Sequence, residues 1–181
     1  MAALPPLSRT GTTIIRRYDH RVTSDLHDAV AARLAHRDGR YTGPRRALIE
    51  ALSSAGRPLT VDEIVLRAPG QRPSSVYRNL AVFEAEGVVH RLAGIGEFAR
   101  FELTEALVGH HHHLACRECG AMTDVHLPRE LEAELDRALT GLARVEGFEL
   151  TAHVLDAVGT CRACSETSRG TRAPTTGSPD R

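Results

Sequence analysis

The side chains most capable of chemistry in this chain are concentrated in residues 110–119. Four consecutive histidines open this stretch, and the pair Cys116 and Cys119 closes it. A second Cys-x-x-Cys pair, Cys161 and Cys164, lies near the end of the sequence. Because two residues between thiols allow one tight turn to bring both sulfurs to a single ion, two such pairs predict a tetrahedral zinc site.

The histidine run predicts ligands for two further metal sites. If residues 110–113 are extended, successive side chains point to opposite faces of the strand. His111 and His113 then share one face, and His110 and His112 share the other. Two imidazoles cannot complete a metal shell, so each pair requires ligands from elsewhere in the chain. The candidates for these additional ligands are His90, Glu102, Glu132 and His153.

Three other interpretations of the same residues stay open. The histidine run also fits a solvated loop without a role, and the cysteine pairs also fit a redox-active or disulfide-bonded protein. The histidines also fit a zinc hydrolase, which requires an open coordination position and a nearby general base. The hydrolase is disfavoured because the His-Glu-x-x-His motif is absent from the sequence. The redox interpretation is disfavoured because strand-like residues 121–125, rather than a helix, follow Cys119. We therefore expect metal binding without enzymatic activity.

The composition and the charge distribution limit the class of protein. The 181 residues allow one domain or two small ones, and the hydrophobic share of 41% is sufficient for cores. The sequence has no apolar run of about 18 residues and no signal-peptide pattern, so we expect a cytoplasmic protein with reduced thiols. The net charge is zero, but residues 1–100 carry 15 arginines against 10 acidic residues, and residues 101–181 carry 8 against 13. A basic half followed by an acidic half predicts two domains with different partners.

The elements that must position the candidate ligands begin after a Pro- and Ser-containing arm, residues 1–22. Apolar residues at helical spacing predict helices over residues 24–36 and 45–53. Thr60 and Glu63 form a capping box that opens a short helix, and a turn rich in proline and glycine follows. A longer helix then begins at Ser74 or Ser75 and ends near Gly87. A short helix, a turn and a longer helix predict a helix-turn-helix.

Residues 88–93 and 97–103 predict a β-hairpin, which in this position would be the wing of a winged helix. Arg91 and Arg100 on this hairpin are candidates for phosphate contacts. Tyr77 and Arg78 lie near the outward N-terminal side of the longer helix, where a recognition helix meets base edges. The alternative on pattern alone is an ordinary helical pair with a surface tyrosine and arginine. The candidate DNA-binding residues are Arg40, Arg72, Ser75, Tyr77 and Arg78.

The rest of the chain predicts an α/β region that contains the ligands. A strand with the histidine run is followed by a second strand near residues 122–127 and by a helix that begins near Pro128. Residues 148–158 predict a last strand, which carries His153. Residues 165–181 contain no core-forming side chains and are expected to be disordered.

With these motifs in order, the chain resembles the ferric uptake regulator (Fur) family of metal-dependent repressors, most of all its zinc-uptake branch. The resemblance extends from about residue 26 to 164. It rests on residues 75–80 (Ser-Val-Tyr-Arg-Asn-Leu), 86–89 (Glu-Gly-Val-Val), 101–104 (Phe-Glu-Leu-Thr), 110–120 and 159–164.

The resemblance implies an α+β fold, with an N-terminal winged helix-turn-helix and a C-terminal α/β dimerisation domain. The expected domains are a flexible arm (1–22), a winged-helix DNA-binding domain (23–104), a metal-binding dimerisation domain (105–164) and a disordered tail (165–181). Metal occupancy would close a homodimer so that both recognition helices fit one palindromic operator of double-stranded DNA.

The resemblance also assigns the ligands to three sites. It implies a structural zinc on Cys116, Cys119, Cys161 and Cys164. It implies a sensing site on His90, Glu102, His111 and His113. It implies a third site on His110, His112, His153 and a helix carboxylate, with Glu132 preferred over Glu130 and Glu134.

The chain departs from the family pattern at several positions. Many iron-sensing members and the peroxide-sensing branch have a histidine just before the short helix, where this chain has Arg57-Pro58, so we do not expect peroxide sensing. His90, directly after Gly87-Val88-Val89, is similar to the zinc-uptake branch, but that branch commonly has a cysteine near the end of the wing, and here no cysteine precedes Cys116. Glu102 is closer to the iron-sensing pattern. We expect zinc at the second site, with iron, manganese or nickel as alternatives. A winged-helix protein whose metals are all structural is a further alternative.

Overall fold

The computed structural model describes residues 20–35, 39–92 and 98–170. Four helices form the N-terminal region: α1 (His20–Ala35), α2 (Gly43–Ser53), α3 (Val61–Arg67) and α4 (Pro73–Ala85). The predicted helices are confirmed, although α1 begins at His20, inside the predicted arm. The remainder of that arm, residues 1–19, lies outside the described residues.

The beginnings of these helices follow from local chemistry. Pro44 and Pro73 lie in the first turns of α2 and α4, where the missing N–H costs no helical hydrogen bond. The backbone N–H of Thr60 donates to Glu63 Oε2 (2.8 Å), and the N–H of Glu63 donates to Thr60 Oγ1 (3.3 Å). The predicted capping box at the start of α3 is therefore confirmed. Gly70, at φ +85°, provides the left-handed backbone of the turn between α3 and α4.

A two-stranded antiparallel sheet follows α4, formed by β1 (Val89–Leu92) and β2 (Arg100–Leu103). Both strands are shorter than predicted, and the predicted hairpin turn, residues 94–96, lies outside the described residues. An isolated bridge pairs Leu59 with Phe101 and ties β2 to the segment before α3. Helices α3 and α4 followed by this sheet have the arrangement of a winged helix-turn-helix.

The N-terminal region has a continuous apolar core. It is built from one face of each helix and from both strands, and it includes the fully buried side chains of Val30, Leu48, Ile49, Val76 and Phe83. Burying a side chain of this size contributes about 1.5–3 kcal/mol. The core therefore positions α4 without help from the cysteines or the histidine run.

A short helix, α5 (Glu105–Val108), leads into the C-terminal region. That region contains β3 (His112–Cys116), β4 (Met122–Val125), α6 (Arg129–Val145), β5 (Asp156–Gly159) and α7 (Arg162–Gly170). The sheet order is β4-β3-β5, with β4 antiparallel and β5 parallel to β3. This central position of β3 places the histidine run between the other ligand-bearing elements. The predicted fold class, α+β with an N-terminal winged helix-turn-helix and a C-terminal α/β region, is confirmed.

Two predictions for the C-terminal region are wrong in extent. The last strand covers only residues 156–159 of the predicted 148–158, because β3 pairs with those residues alone. Residues 165–170, predicted to be disordered, belong to α7. The turn of residues 161–164 opens this helix, with Ser165 N donating to Cys161 O (2.9 Å). Because forming the first turn is the costly step of helix formation, this turn favours a helix in the residues that follow. Residues 171–181 lie outside the described residues. No described helix has the length and apolar character needed to cross a membrane.

Candidate metal centres and nucleic-acid interface

The histidine run alternates between two faces, as its extended conformation predicts. Gly109, at φ +88°, ends α5 and redirects the chain into the run. The side chains of His111, His112 and His113 are all buried. His111 and His113 point to one cluster of ligands, whereas His112, together with His110, points to another.

The four cysteines lie together where β3 and β5 end. Cys116 ends β3, Cys119 follows in the turn before Gly120, and Cys161 and Cys164 lie where α7 begins. The four sulfur atoms are all within 4.8 Å of one another, and all four cysteines are free thiols. Cys119 Sγ and Cys161 Sγ are 3.8 Å apart, well beyond the length of about 2.05 Å of a disulfide bond.

Hydrogen bonds at this cluster stabilise a thiolate before any ion binds. Backbone N–H groups of Cys161 and Cys119 donate to Cys116 and lower the pKa of its thiol to about 6. Hydrogen bonds with Cys161 and Cys119 raise the pKa of Cys164 to about 12. Three thiols gathered around one thiolate provide the four sulfur donors of a tetrahedral structural zinc site, and they fit that ion.

A second cluster joins the two regions of the chain. Glu102, on β2, places Oε2 at 3.3 Å from His111 Nε2 and at 3.0 Å from His113 Nε2. Asp124, which pairs with His113 in the β3–β4 register, completes the group with Oδ1 at 3.8 Å from His113 Nε2. The predicted ligand His90 is not part of it. Although His90 lies opposite Glu102 in the β1–β2 register, its side chain is exposed.

The electrostatics of the second cluster fit a cation. Burial alone raises the pKa of Glu102, but hydrogen bonds with His111 and His113 outweigh it and bring the pKa to about 2. The hydrogen bond with Glu102 raises the pKa of His111 to about 9. Asp124 Oδ1 is buried without a hydrogen-bond partner, and burial raises the pKa of that carboxyl. A buried, unpaired carboxylate oxygen beside two imidazoles is a suitable donor for a divalent ion.

The third cluster contains His110, His112, Glu132 and His153, and of the three candidate glutamates Glu132 alone joins it. Glu132 Oε2 lies 2.9 Å from His112 Nε2, and Oε1 lies 3.2 Å from the Nε2 atoms of both other histidines. Glu132 Oε1 and His153 Nε2 are buried and make no hydrogen bond. A cavity of about 640 Å³ beside the cluster is lined by His110, His112 and Glu132. Buried donor atoms that converge here without a hydrogen-bond partner, Glu132 Oε1 and His153 Nε2, fit a metal ion.

Four of these histidines direct Nε2 into a cluster, and their Nδ1 atoms contact oxygen atoms outside the clusters. The sequence analysis missed the three carboxylates among them and also missed Asp124. Asp136 lies one helical turn after Glu132, so helical spacing was a signal for it. The others depend on register and on the path of the chain. The Nδ1 contacts are His110 to Glu105 Oε1 (3.0 Å), His111 to Gly109 O (3.0 Å), His113 to Asp156 Oδ1 (3.0 Å) and His153 to Asp136 Oδ1 (3.1 Å).

The candidate DNA-binding residues lie on one end of the N-terminal region. Arg72 is the N-cap residue of α4, and Ser75, Tyr77 and Arg78 follow in its first two turns. Tyr77 is 58% exposed, and Arg78 is also exposed, with Nη2 3.4 Å from Ser75 Oγ. Arg40 is exposed ahead of α2. The exposed start of the second helix of a helix-turn-helix is the part that enters the major groove.

The wing arginines differ from each other. Arg91 is exposed, as a phosphate-contacting residue must be. Arg100 is buried, and its Nη1 binds Glu63 Oε2 at 3.2 Å, so the prediction that it contacts phosphate is wrong. Glu63 also binds Arg57 at 2.7 Å. Glu63, the capping carboxylate of α3, is stabilised by cations beside it, and Arg100 on β2 faces this carboxylate.

These features define a class of protein: a helix-turn-helix protein with a wing-like sheet and a ligand-rich α/β region. The model of the ferric uptake regulator family matches residues 36–158, and the chain belongs to this family of metal-responsive transcription regulators. Members of this family are transcription regulators and not enzymes, so the hydrolase interpretation is wrong.

Individual relatives support the same assignment. The peroxide operon regulator of Bacillus subtilis (strain 168) is 32% identical over 131 residues, which cover 70% of this chain and 85% of that protein. The ferric uptake regulator of Helicobacter pylori matches with a TM-score of 0.64 at 20% identity, over 79% of this chain and 93% of that one. The ferric uptake regulator of Pseudomonas aeruginosa, solved with manganese, matches with a TM-score of 0.57 at 26% identity, over 75% and 98%.

Proposed function

We propose that this protein is a repressor that binds palindromic operators of metal-homeostasis genes as a homodimer when a divalent metal occupies its second cluster. The observation that carries the proposal is Glu102, a wing residue whose carboxylate lies within 3.3 Å of imidazoles of both His111 and His113. An ion bound there would join the DNA-binding region to the C-terminal region. It would favour the arrangement in which all its ligands meet, by its differential affinity for that arrangement.

The three clusters have different proposed roles. The four cysteines would hold a structural zinc, because a closed shell of thiolates leaves no open position and couples binding to folding. The second cluster, with ligands from both regions, would be the sensing site. The third cluster, His110, His112, Glu132 and His153, lies within the C-terminal region and would hold a further ion. The four free thiols suit metal binding in a reducing cytoplasm, which is the proposed setting.

The sensed metal is proposed to be zinc or another divalent first-row ion. His90 is the residue that favours zinc in the sequence, and the second cluster contains Asp124 in its place. Two imidazoles and two carboxylates also suit iron and manganese, since oxygen donors favour the harder ions. Asp124 is therefore the specific observation in favour of an iron- or manganese-sensing regulator as the second candidate.

Peroxide sensing is suggested by the name of the Bacillus subtilis relative. We propose that this chain does not share that response. Arg57 occupies the position where the resemblance implies a histidine in peroxide-sensing members, and its guanidinium binds Glu63. Treatment of the metal-loaded protein with hydrogen peroxide should leave DNA binding unchanged. Loss of DNA binding together with oxidation of a ligand histidine would contradict this.

The DNA interface would be the first two turns of α4. Tyr77 and Arg78 are exposed there, and Arg40, Arg72 and Arg91 are exposed arginines of the same N-terminal region. We expect Tyr77 and Arg78 to read bases, whereas these other arginines and Ser75 fix the register through phosphates.

A second copy of the chain would cover the apolar face of the C-terminal region. Monomeric proteins rarely expose contiguous apolar patches of large area, so these side chains support a homodimer. The side chains concerned are Leu142, Val145, Phe148, Val154 and Val158, each at least 59% exposed.

Selection of DNA from a random duplex library tests the proposed function. The protein keeps its structural zinc, and the selection is performed with excess zinc, manganese or ferrous ion and again with a chelator that removes only the weaker ions. We expect inverted repeats to be enriched in the presence of one metal only. The His111→Ala variant should enrich none, whereas His126→Ala, which removes a nearby exposed histidine, should behave as the wild type. Equal enrichment with and without metal would refute the proposal.

A further inference from the structure

The segment of residues 102–110 contacts two of the metal clusters from opposite ends. Glu102, on β2, contacts the second cluster. His110, at the other end, belongs to the third. Between them lies the linker, residues 104–109, which contains α5 and connects the DNA-binding region to the C-terminal region.

The start of the linker is fixed to the N-terminal region. Thr104 N donates to Val88 O (3.1 Å), and Thr104 Oγ1 donates to Gly87 O (2.9 Å). Arg33 of α1 binds two of these oxygen atoms. Its Nη1 lies 2.7 Å from Gly87 O and 3.2 Å from Thr104 Oγ1. Glu105 is the next residue, so its backbone moves with the DNA-binding region.

The end of the linker is a joint. Gly109 has φ +88° and no side chain, so rotation about its backbone is the easiest way to reorient the C-terminal region against α5. A contact between two side chains crosses this joint: Glu105 Oε1, in the linker, lies 3.0 Å from His110 Nδ1. The same ring places Nε2 at 3.2 Å from Glu132 Oε1, inside the third cluster.

His153 provides a matched contact that does not cross the joint. Its Nδ1 lies 3.1 Å from Asp136 Oδ1, and its Nε2 lies 3.2 Å from Glu132 Oε1. Asp136, however, lies on α6, within the C-terminal region. Both carboxylates orient an imidazole of the same cluster, but only Glu105 connects that cluster to the linker.

We propose that Glu105 is a positioning residue that couples the third cluster to the linker, so that an ion in the third cluster fixes the DNA-binding region against the C-terminal region. The inference rests on the proposed function, because it requires that cluster to hold a divalent ion. An ion on His110 Nε2 requires Nδ1 to carry the proton, and the Nδ1–H then donates to Glu105. Binding the ion polarises the ring and strengthens that hydrogen bond. The third cluster would thus favour the same arrangement of the two regions as the second cluster, through a different contact.

Hydrogen exchange of the linker amides, followed by mass spectrometry on the full chain, tests the proposal. All proteins carry His111→Ala, which removes a ligand from the second cluster, and retain the structural zinc. The probe is zinc ion, added until calorimetry shows that the third cluster is saturated. The compared variants are Glu105→Ala and Asp136→Ala, which each remove one carboxylate from a histidine of that cluster.

We expect both variants to bind zinc about 10- to 100-fold more weakly, the usual effect of losing a carboxylate that orients a ligand histidine. At saturation, zinc should slow exchange of residues 105–109 in the parent and in Asp136→Ala, but not in Glu105→Ala. Equal protection of the linker in zinc-saturated Glu105→Ala would overturn this inference but would leave the proposed role of the third cluster intact. Absence of any zinc binding by the third cluster of the parent would overturn the proposed role of that cluster, and the inference with it.

Discussion

The region of residues 26–103 and the region of residues 110–167 differ in what fills their interiors. The first buries a cluster of eighteen apolar side chains. In the second, the buried apolar residues are Ala115, Cys116 and Met122, and the other buried side chains are His111, His112 and His113; helix α6 contains no buried residue. The first region is therefore held by the hydrophobic effect, whereas the second has little apolar core and, under the proposed function, would depend on bound ions and on a partner surface. This difference would allow metal to reorganise one region without unfolding the other.

The largest expected effect is that of Cys116→Ser on the C-terminal region. The free energy of structural zinc binding is of the order of 10 kcal/mol and is coupled to folding, and this region has little apolar core to replace it. Calorimetry should show loss of the C-terminal transition while the N-terminal one remains. Ala163→Ser, which introduces the same side chain between Cys161 and Cys164 without removing a thiol, is the control. Unchanged melting of Cys116→Ser would contradict the contrast between the regions.

Phe83→Ala tests the same contrast from the other side. Phe83 is fully buried in the N-terminal core, so truncation should cost about 3–5 kcal/mol of unfolding free energy there. Metal content per chain should not change, because the clusters lie elsewhere. The control is Phe98→Ala, which truncates a 66% exposed ring and should have little effect on stability. Loss of bound zinc in folded Phe83→Ala protein would show that the two regions are not independent.

Substitution of single candidate ligands tests the contact between the two regions. His111→Ala should weaken the removable metal at least tenfold, because His111 is buried against Glu102. His90→Ala should change that affinity far less, since His90 is exposed and outside the cluster. Metal titration by calorimetry measures both. Equal losses in the two variants would show that His90 reaches the ion in the metal-bound arrangement.

The smallest expected effect is that of Glu63→Gln on the stability of the N-terminal region and on the dependence of that stability on pH. Burial raises the pKa of Glu63, but hydrogen bonds with Arg57 and Thr60 and the charge of Arg100 outweigh it, which lowers the pKa from 4.5 to about 2. The stabilisation by this carboxylate is therefore complete above pH 4.5 and is lost as the pH falls through 2. Glu63→Gln should cost about 1 kcal/mol at neutral pH and flatten the acid-induced loss of N-terminal stability. An unchanged acid profile would contradict the assignment.

Local sequence patterns predicted the elements and most of the side chains that the three clusters bring together. The capping box at Thr60, the cysteine spacing and the alternation of the histidine run are local, and strand or helix geometry alone turns them into positions. The inclusion of Asp124 in the second cluster and the exclusion of His90 depend on strand register and on the orientation of the wing, which local patterns do not determine. The short β5 reflects its register with β3, in which residues 156–159 form the strand pairs. Arg100 is buried because of a tertiary ion pair with Glu63 that no local pattern reveals.

The most direct test of the account is the affinity for one selected duplex, measured by fluorescence anisotropy at two metal occupancies. One sample carries the structural zinc alone, and the other carries the structural zinc and the removable ion. Removal of the second ion is expected to weaken DNA binding at least tenfold, while calorimetry shows the N-terminal transition unchanged. Equal affinity at both occupancies would contradict it, because the ion would then not control how the core-held region meets DNA.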